Sequence, residues 1–234
     1  MESVMEFIKN NREILPFILF AVIFISALLI HYYSSRRRSA ALQKTAEELG
    51  LSFSAEGESE FAEVMKSRIE LFFIGSSRII SNVIHNISMP YAVMNVFDYS
   101  YTTGSGKSRS VHTFTCALAK YDAKTEFPQF SLVPENFFNR LTDKLFMHSD
   151  INFDNYPEFS KKYLLRGNNE EAVRRLFSSA VISSLEIKDN LRIFASGRYV
   201  LYYSSGFIKA DKIEAFISDA RNTIQLFYSS SLKF

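Results

Sequence analysis

Gly104-Ser105-Gly106-Lys107-Ser108 is the stretch of the chain whose residue types come nearest to a phosphate-binding loop. That loop needs G-x-x-x-x-G-K-[ST] between a strand and a helix, and counting back from Gly106 puts Tyr101 where the first glycine belongs. The residues after Ser108, RSVHTFTCAL (109–118), have strand character. Stacked N–H groups for a phosphate come from a helix N-terminus, so the spacing predicts a glycine-rich hairpin turn instead. Asp150-x-Asn152-x-Asp154 opens like a calcium loop, but Asn155 stands where glycine is needed and Lys161 where a bidentate glutamate is needed. A short strand flanked by solvated acids is the expectation there. His31, His85, His112 and His148 lack helical i, i+3 or i, i+4 partners for a metal. His85 and His112 are expected on neighbouring strands with Cys116 nearby, which leaves a catalytic pair open. No G-x-S-x-G elbow occurs among the many serines. Glu158, Lys161, Lys162 and Arg166, within PEFSKKYLLRG (157–167), concentrate both charges beside aromatic residues and form a candidate surface site. The sequence implies no cofactor and no metal.

These residues are positioned by a chain that begins with an anchor. Residues 14–33 carry no charge over twenty positions, which at about 1.5 Å per helical residue reaches the roughly 30 Å of a bilayer's hydrocarbon core. A cleaved signal has a shorter apolar stretch and a small-residue exit, whereas this run leaves through His31, Tyr32 and Tyr33. Arg36, Arg37, Arg38 and Lys44 follow it, against Lys9 and Arg12 before it, so the basic bias predicts a cytoplasmic C-terminal side. Tyr32 and Tyr33 suit the headgroup level, and Pro16 falls in the first helical turn, where its missing N–H costs little. The expected organisation is a tail over 1–13, a transmembrane helix over 14–33, a basic juxtamembrane segment and helix over 34–50, and a soluble domain over 51–234. A soft boundary between two lobes is expected near 147–150.

The net charge of +2 lies wholly in residues 1–38, where five basic side chains face three acidic ones; residues 39–234 carry 22 of each sign. A nucleic-acid surface needs a basic excess, so that class of partner is excluded. A lone cysteine, Cys116, forms neither an intramolecular disulfide nor a cysteine-based zinc site, in keeping with a reducing compartment. With 23 Phe and no Trp, the apolar material suits an aromatic and branched core.

Periodicity supplies the elements. Leu42, Ala46 and Leu49 predict a short helix over 39–49 ending at Gly50, followed by a strand over 51–55 and a helix over 59–66. LFFIG (71–75), SNVIHNISM (81–89), YAVMNVFDYSYTT (91–103) and SRSVHTFTCALAKY (108–121) are predicted strands, with another at 130–133. A helix is expected over 134–146, then alternation at Ile151 and Phe153. Asn168 with Glu171 predicts a helix burying Val173, Leu176, Phe177, Ala180 and Val181. LRIFA and RYVLYYS predict a hairpin turning at Ser196-Gly197. Asp211 with Glu214 opens a last helix with Ile213, Phe216, Ile217, Ala220, Ile224 and Phe227 on its apolar face. Without βαβ alternation, the fold class is α+β, a mainly antiparallel sheet with packed helices behind an N-terminal transmembrane helix.

The strings FDYSYTTGSGK (97–107), FPQFSLVPENFF (127–138) and INFDNYPEFSKKYLLRG (151–167), with VRRLF (173–177), resemble segments of a group of uncharacterised bacterial single-pass membrane proteins. The resemblance spans most of residues 50–230. It implies a bacterial, membrane-tethered α+β domain and carries over no catalytic residue. The expected function is a non-catalytic binding or adaptor domain at the cytoplasmic face of the inner membrane, with the lipid bilayer and another membrane or cytoplasmic protein as partners. The alternative is a membrane-tethered enzyme with a non-standard site near 157–167.

Overall fold

The computed structural model describes residues 13–135 and 150–231. The chain divides into two compact units, Met1–Ala41 and Leu42–Phe234. Helix α1 (Leu15–Glu48) continues from the apolar run through the basic segment, so the short helix expected over 39–49 is the end of a longer one. No glycine or proline interrupts it after Pro16, and nothing in the sequence stops it before Gly50. There the chain turns left-handed at φ +69, with Gly50 N–H donating to Glu47 O at 3.0 Å and Leu51 N–H to Ala46 O at 2.8 Å. This is the glycine-closed helix end the sequence predicts.

In the second unit, eight strands among the described residues form one sheet in the order β1-β2-β3-β4-β8-β7-β5-β6, with every pairing antiparallel. They are β1 (Ser52–Glu56), β2 (Ser76–Met89), β3 (Ala92–Thr103), β4 (Ser110–Tyr121), β5 (Phe127–Pro134), β6 (Tyr163–Gly167), β7 (Arg192–Gly197) and β8 (Tyr199–Ser205). Strands from both sides of 147–150 lie in this one sheet. The fold class is therefore α+β, as the sequence implies.

Alternation of side chains along each strand builds two cores, one on each face. On β4, Ala117, Ala119 and Tyr121 join the larger core, while Phe114, Cys116 and Leu118 join the smaller one. The larger core is covered by α3 (Pro157–Lys162), α4 (Glu170–Leu176), α5 (Ser179–Glu186), α6 (Ile213–Ser231) and by Leu42 and Ala46 of α1. All six apolar residues predicted for the last helix are buried. The smaller core is covered by α2 (Glu58–Lys66) and a 3-10 turn, Glu70–Phe73.

Several expectations change. LFFIG is no strand: Leu71 and Phe72 are both buried, consecutive residues that a strand would send to opposite faces, and Phe72 stacks edge-on against Tyr99 at 5.1 Å. Residues 151–153 form no strand, since only Asp150 bridges to Arg166. The cap at the next helix is Asn169, whose Oδ1 accepts from Ala172 N–H at 3.1 Å, rather than Asn168. That helix is broken at Phe177-Ser178, and this turns Ala180 outward. The helix expected over 134–146 lies outside the described residues, apart from its first two positions.

Candidate functional site

The sequence-predicted charged cluster is divided by the fold. Glu158 and Lys161 pair with each other on the exposed first turns of α3 at 2.9 Å. Lys162 reaches Glu186 O at 2.7 Å and Asp189 at 2.8 Å, which ties α3 to the end of α5. Arg166, on β6, donates Nε–H to Asp150 Oδ1 at 2.7 Å and lines a small cavity behind that strand. Each cation thus has an acidic partner within its own neighbourhood. In the first unit the Arg36 guanidinium lies over the Tyr32 ring at 5.0 Å, Tyr33 packs edge-on against Tyr32, and Arg37 and Arg38 follow on the same helix.

The remaining sequence candidates are also placed. Gly104 (φ +71) and Gly106 (φ +54) shape the β3–β4 hairpin, and Ser108 N–H closes it on Ser105 O at 3.1 Å. His85 is on β2 and His112 on β4, with β3 between them, so the two histidines are not on neighbouring strands. His112 Nε2 bonds Thr103 Oγ1 at 2.8 Å and its ring stacks on Tyr101. Cys116 is fully buried, and that burial pushes its thiol well up, which makes it inert. His148 lies outside the described residues.

A groove borders α2. Lys120 of β4 donates to Glu63 Oε2 at 2.6 Å, Tyr199 of β8 donates to the same oxygen at 3.1 Å, and Lys66 reaches Oε1 at 3.1 Å. These bonds, Lys120 first, hold the Glu63 carboxyl down to about 2. The helix is thereby pinned across two strands of the sheet. On one side lies a concavity of about 610 Å³ lined by Tyr91, Val93, Lys120 and Arg198. On the other lies one of about 650 Å³ lined by Lys66, Arg68, Gln129 and Asn168, and the two share Arg198 and Tyr199. Tyr91 is 64% and Val93 47% exposed, an apolar rim beside cations. Such a surface, with an apolar rim and the paired Glu63 and Lys120 beside it, has the make-up of a binding surface.

Beneath the second concavity, Glu70 borders a cavity of about 10 Å³, room for about one water. Its Oε1 accepts weakly from Gln129 Nε2 at 3.4 Å and its Oε2 is buried with no partner among the described residues. Burial without compensation raises this carboxyl to about 7.

Between β1, β2 and α2 sits an arrangement that the sequence hid. Ser54 Oγ is 2.8 Å from His85 Nε2, and His85 Nδ1 is 2.9 Å from Glu60 Oε1. Ser59 donates to the other Glu60 oxygen at 2.7 Å. The three residues are 31 and 25 positions apart and share no motif. The only legible signal was His85 alternating onto the same face as Val83.

No family model and no curated protein matches the chain. Its fold is similar to the crystal structure of the mycobacterial trehalose monomycolate transport factor A, TtfA. That likeness has a TM-score of 0.57 over 83% of this chain and 94% of that chain, at 11% identity. At so low an identity it is a likeness of fold.

Proposed function

We propose that the protein is a bacterial single-pass membrane protein whose α+β domain acts as a binding or adaptor module at the cytoplasmic face of the inner membrane. The observation that carries this is α1: it is long and apolar enough to span a membrane, and none of its apolar stretch is buried in the protein. Removing this uncharged, largely apolar stretch from water then falls to lipid, worth roughly 25 cal/mol per Å² of surface transferred. Arg36, Arg37 and Arg38 support the cytoplasmic orientation through their bias and add about 1 kcal/mol each toward anionic headgroups.

The groove beside α2 is the partner surface in this reading, with Tyr91 and Val93 as apolar anchors and Lys120 and Arg198 as flanking cations. The fold shared with a transport factor agrees with a role beside another membrane or cytoplasmic protein. Reporter fusions at residue 234, one active only in the cytoplasm and one only outside it, test the topology. Signal from the external reporter overturns the orientation. A photo-crosslinker at Val93 that captures one defined membrane-complex protein, with loss on Tyr91→Ser, is the expected result for the groove. Equal capture by a crosslinker on the exposed face at Ile187 overturns it.

A further inference from the structure

The geometry points to a second activity, distinct from the groove: Ser54, His85 and Glu60 form an acyl-transfer centre for an ester with an apolar acyl chain. The atoms are paired as that chemistry requires. Glu60 Oε1 faces His85 Nδ1 at 2.9 Å, so an ionised Glu60 fixes the proton on Nδ1 and leaves Nε2 as a base. Nε2 faces Ser54 Oγ at 2.8 Å. Exposure grades in the same order, from Glu60 at 10% and His85 at 18% of their side chains to a Ser54 open in part to solvent. Ser59 fixes the remaining Glu60 oxygen at 2.7 Å. A nucleophile, a base in hydrogen-bond reach and a third group that orients the base define such a centre by geometry rather than by sequence order.

The neighbourhood supplies the rest. Ser54 Oγ has a second acceptor, Glu56 O at 2.8 Å, which holds the hydroxyl whenever the imidazole is protonated. β1 is one of the two edge strands of the sheet among the described residues, so the N–H groups on its outward side make no ladder bonds. Next along the chain from Ser54, which does not itself line it, the end of β1 and the start of α2 border a cleft of about 440 Å³ containing Phe61, Ile79 and Ile80. Phe61 and Ile79 are 39% and 57% exposed, an apolar bed for an acyl chain. Glu56, Glu58 and Arg78 stand on the same cleft, so charge of both signs borders its apolar bed.

In the reaction, Ser54 Oγ bonds to the ester carbonyl carbon as its proton passes to His85 Nε2, and the carbonyl π pair moves onto oxygen. Collapse of that oxyanion breaks the carbon–alkoxy bond, and the alcohol leaves with the proton from Nε2. Water then attacks the acyl-serine by the same route and releases the acid. Ser54 and His85 are the catalytic residues; Glu60 is a positioning residue that acts through the ring.

The test uses the full-length protein in detergent micelles, with a fluorophosphonate probe and p-nitrophenyl butyrate. The expected result is a probe adduct on Ser54 by mass spectrometry and hydrolysis that falls at least about 100-fold in Ser54→Ala and in His85→Gln. Glu60→Gln is expected to lower the rate and displace the acid limb of its pH profile, with Glu60→Asp restoring part of both. Circular dichroism and melting of Ser54→Ala, a change that removes one oxygen, confirm the fold. Labelling of Ser54→Ala at the wild-type rate, or an adduct on a different serine, overturns the proposal. Neither result bears on partner capture at Val93.

Discussion

Asn82 Nδ2 donates to Asp98 Oδ2 at 2.8 Å across β2 and β3, from a position where the Asn82 backbone is left-handed at φ +53 and the register of the two strands slips. Asparagine tolerates that conformation, and its short amide reaches the acid that the bulge brings opposite. Asp98 is buried at 2% exposure, and Thr115 adds a bond to its other oxygen at 3.2 Å while taking one from Ile208 N–H at 2.9 Å.

Asp98→Ala is therefore expected to destabilise the domain by about 2–4 kcal/mol, because the Asn82 amide and the Thr115 hydroxyl each lose a buried acceptor. Urea unfolding followed by circular dichroism measures it. A loss below about 0.5 kcal/mol would show the network to be replaceable.

Stability should fall as pH rises through the window from the ordinary carboxyl value to about 7, on account of Glu70. The folded state holds the Glu70 proton more tightly than the unfolded chain, so the neutral acid favours folding fully at low pH and that advantage is gone above the folded value. Glu70→Gln should flatten the melting temperature between pH 5 and 8. An unchanged slope in that variant would refute the assignment.

Gly167→Ala is expected to cost about 1–3 kcal/mol. A Cβ at that position would sit 2.7 Å from Val173 Cγ2 and 3.0 Å from Gln129 O, wedging α4 from the end of β6. Thermal unfolding of the variant reads the penalty. Gly50→Ala meets no atom within 4 Å, so any loss there reports the left-handed backbone alone.

A fragment beginning at Ser39 should be soluble and folded, since it sheds the apolar stretch yet keeps Leu42 and Ala46, which are buried at 2% and 0% in the larger core. A start at Gly50 should cost several kcal/mol by removing both. Sedimentation and melting of the two fragments distinguish these outcomes.

Much of the architecture was legible because it follows from local periodicity. The six-residue apolar face of α6, the hairpin at Gly197 and the end of α1 at Gly50 each rest on neighbours in sequence. What failed was decided by tertiary packing. Leu71 and Phe72 look like strand residues, but the smaller core needs a lid over Phe97 and Tyr99, and a 3-10 turn buries both where a strand would bury one. The charged residues of 157–167 are adjacent in sequence, yet a helix and a strand send them to different places. The sequence offers His85 with His112 and Cys116 but gives no sign of Ser54 or Glu60, for the converse reason: a strand pairing and a short helix join residues that no spacing relates.

β8 enters the sheet between β4 and β7, so the strand that closes the N-terminal meander is the last one translated. A nascent chain that has emitted β1 to β4 exposes a bare β4 edge until Tyr199–Ser205 has left the ribosomal tunnel. If α1 has already partitioned into lipid by then, neighbouring unfinished chains would be confined to a plane with matching open edges. Their ready escape from cross-pairing is the quick arrival of some eighty further residues, so the rate of elongation sets how long that edge stays open.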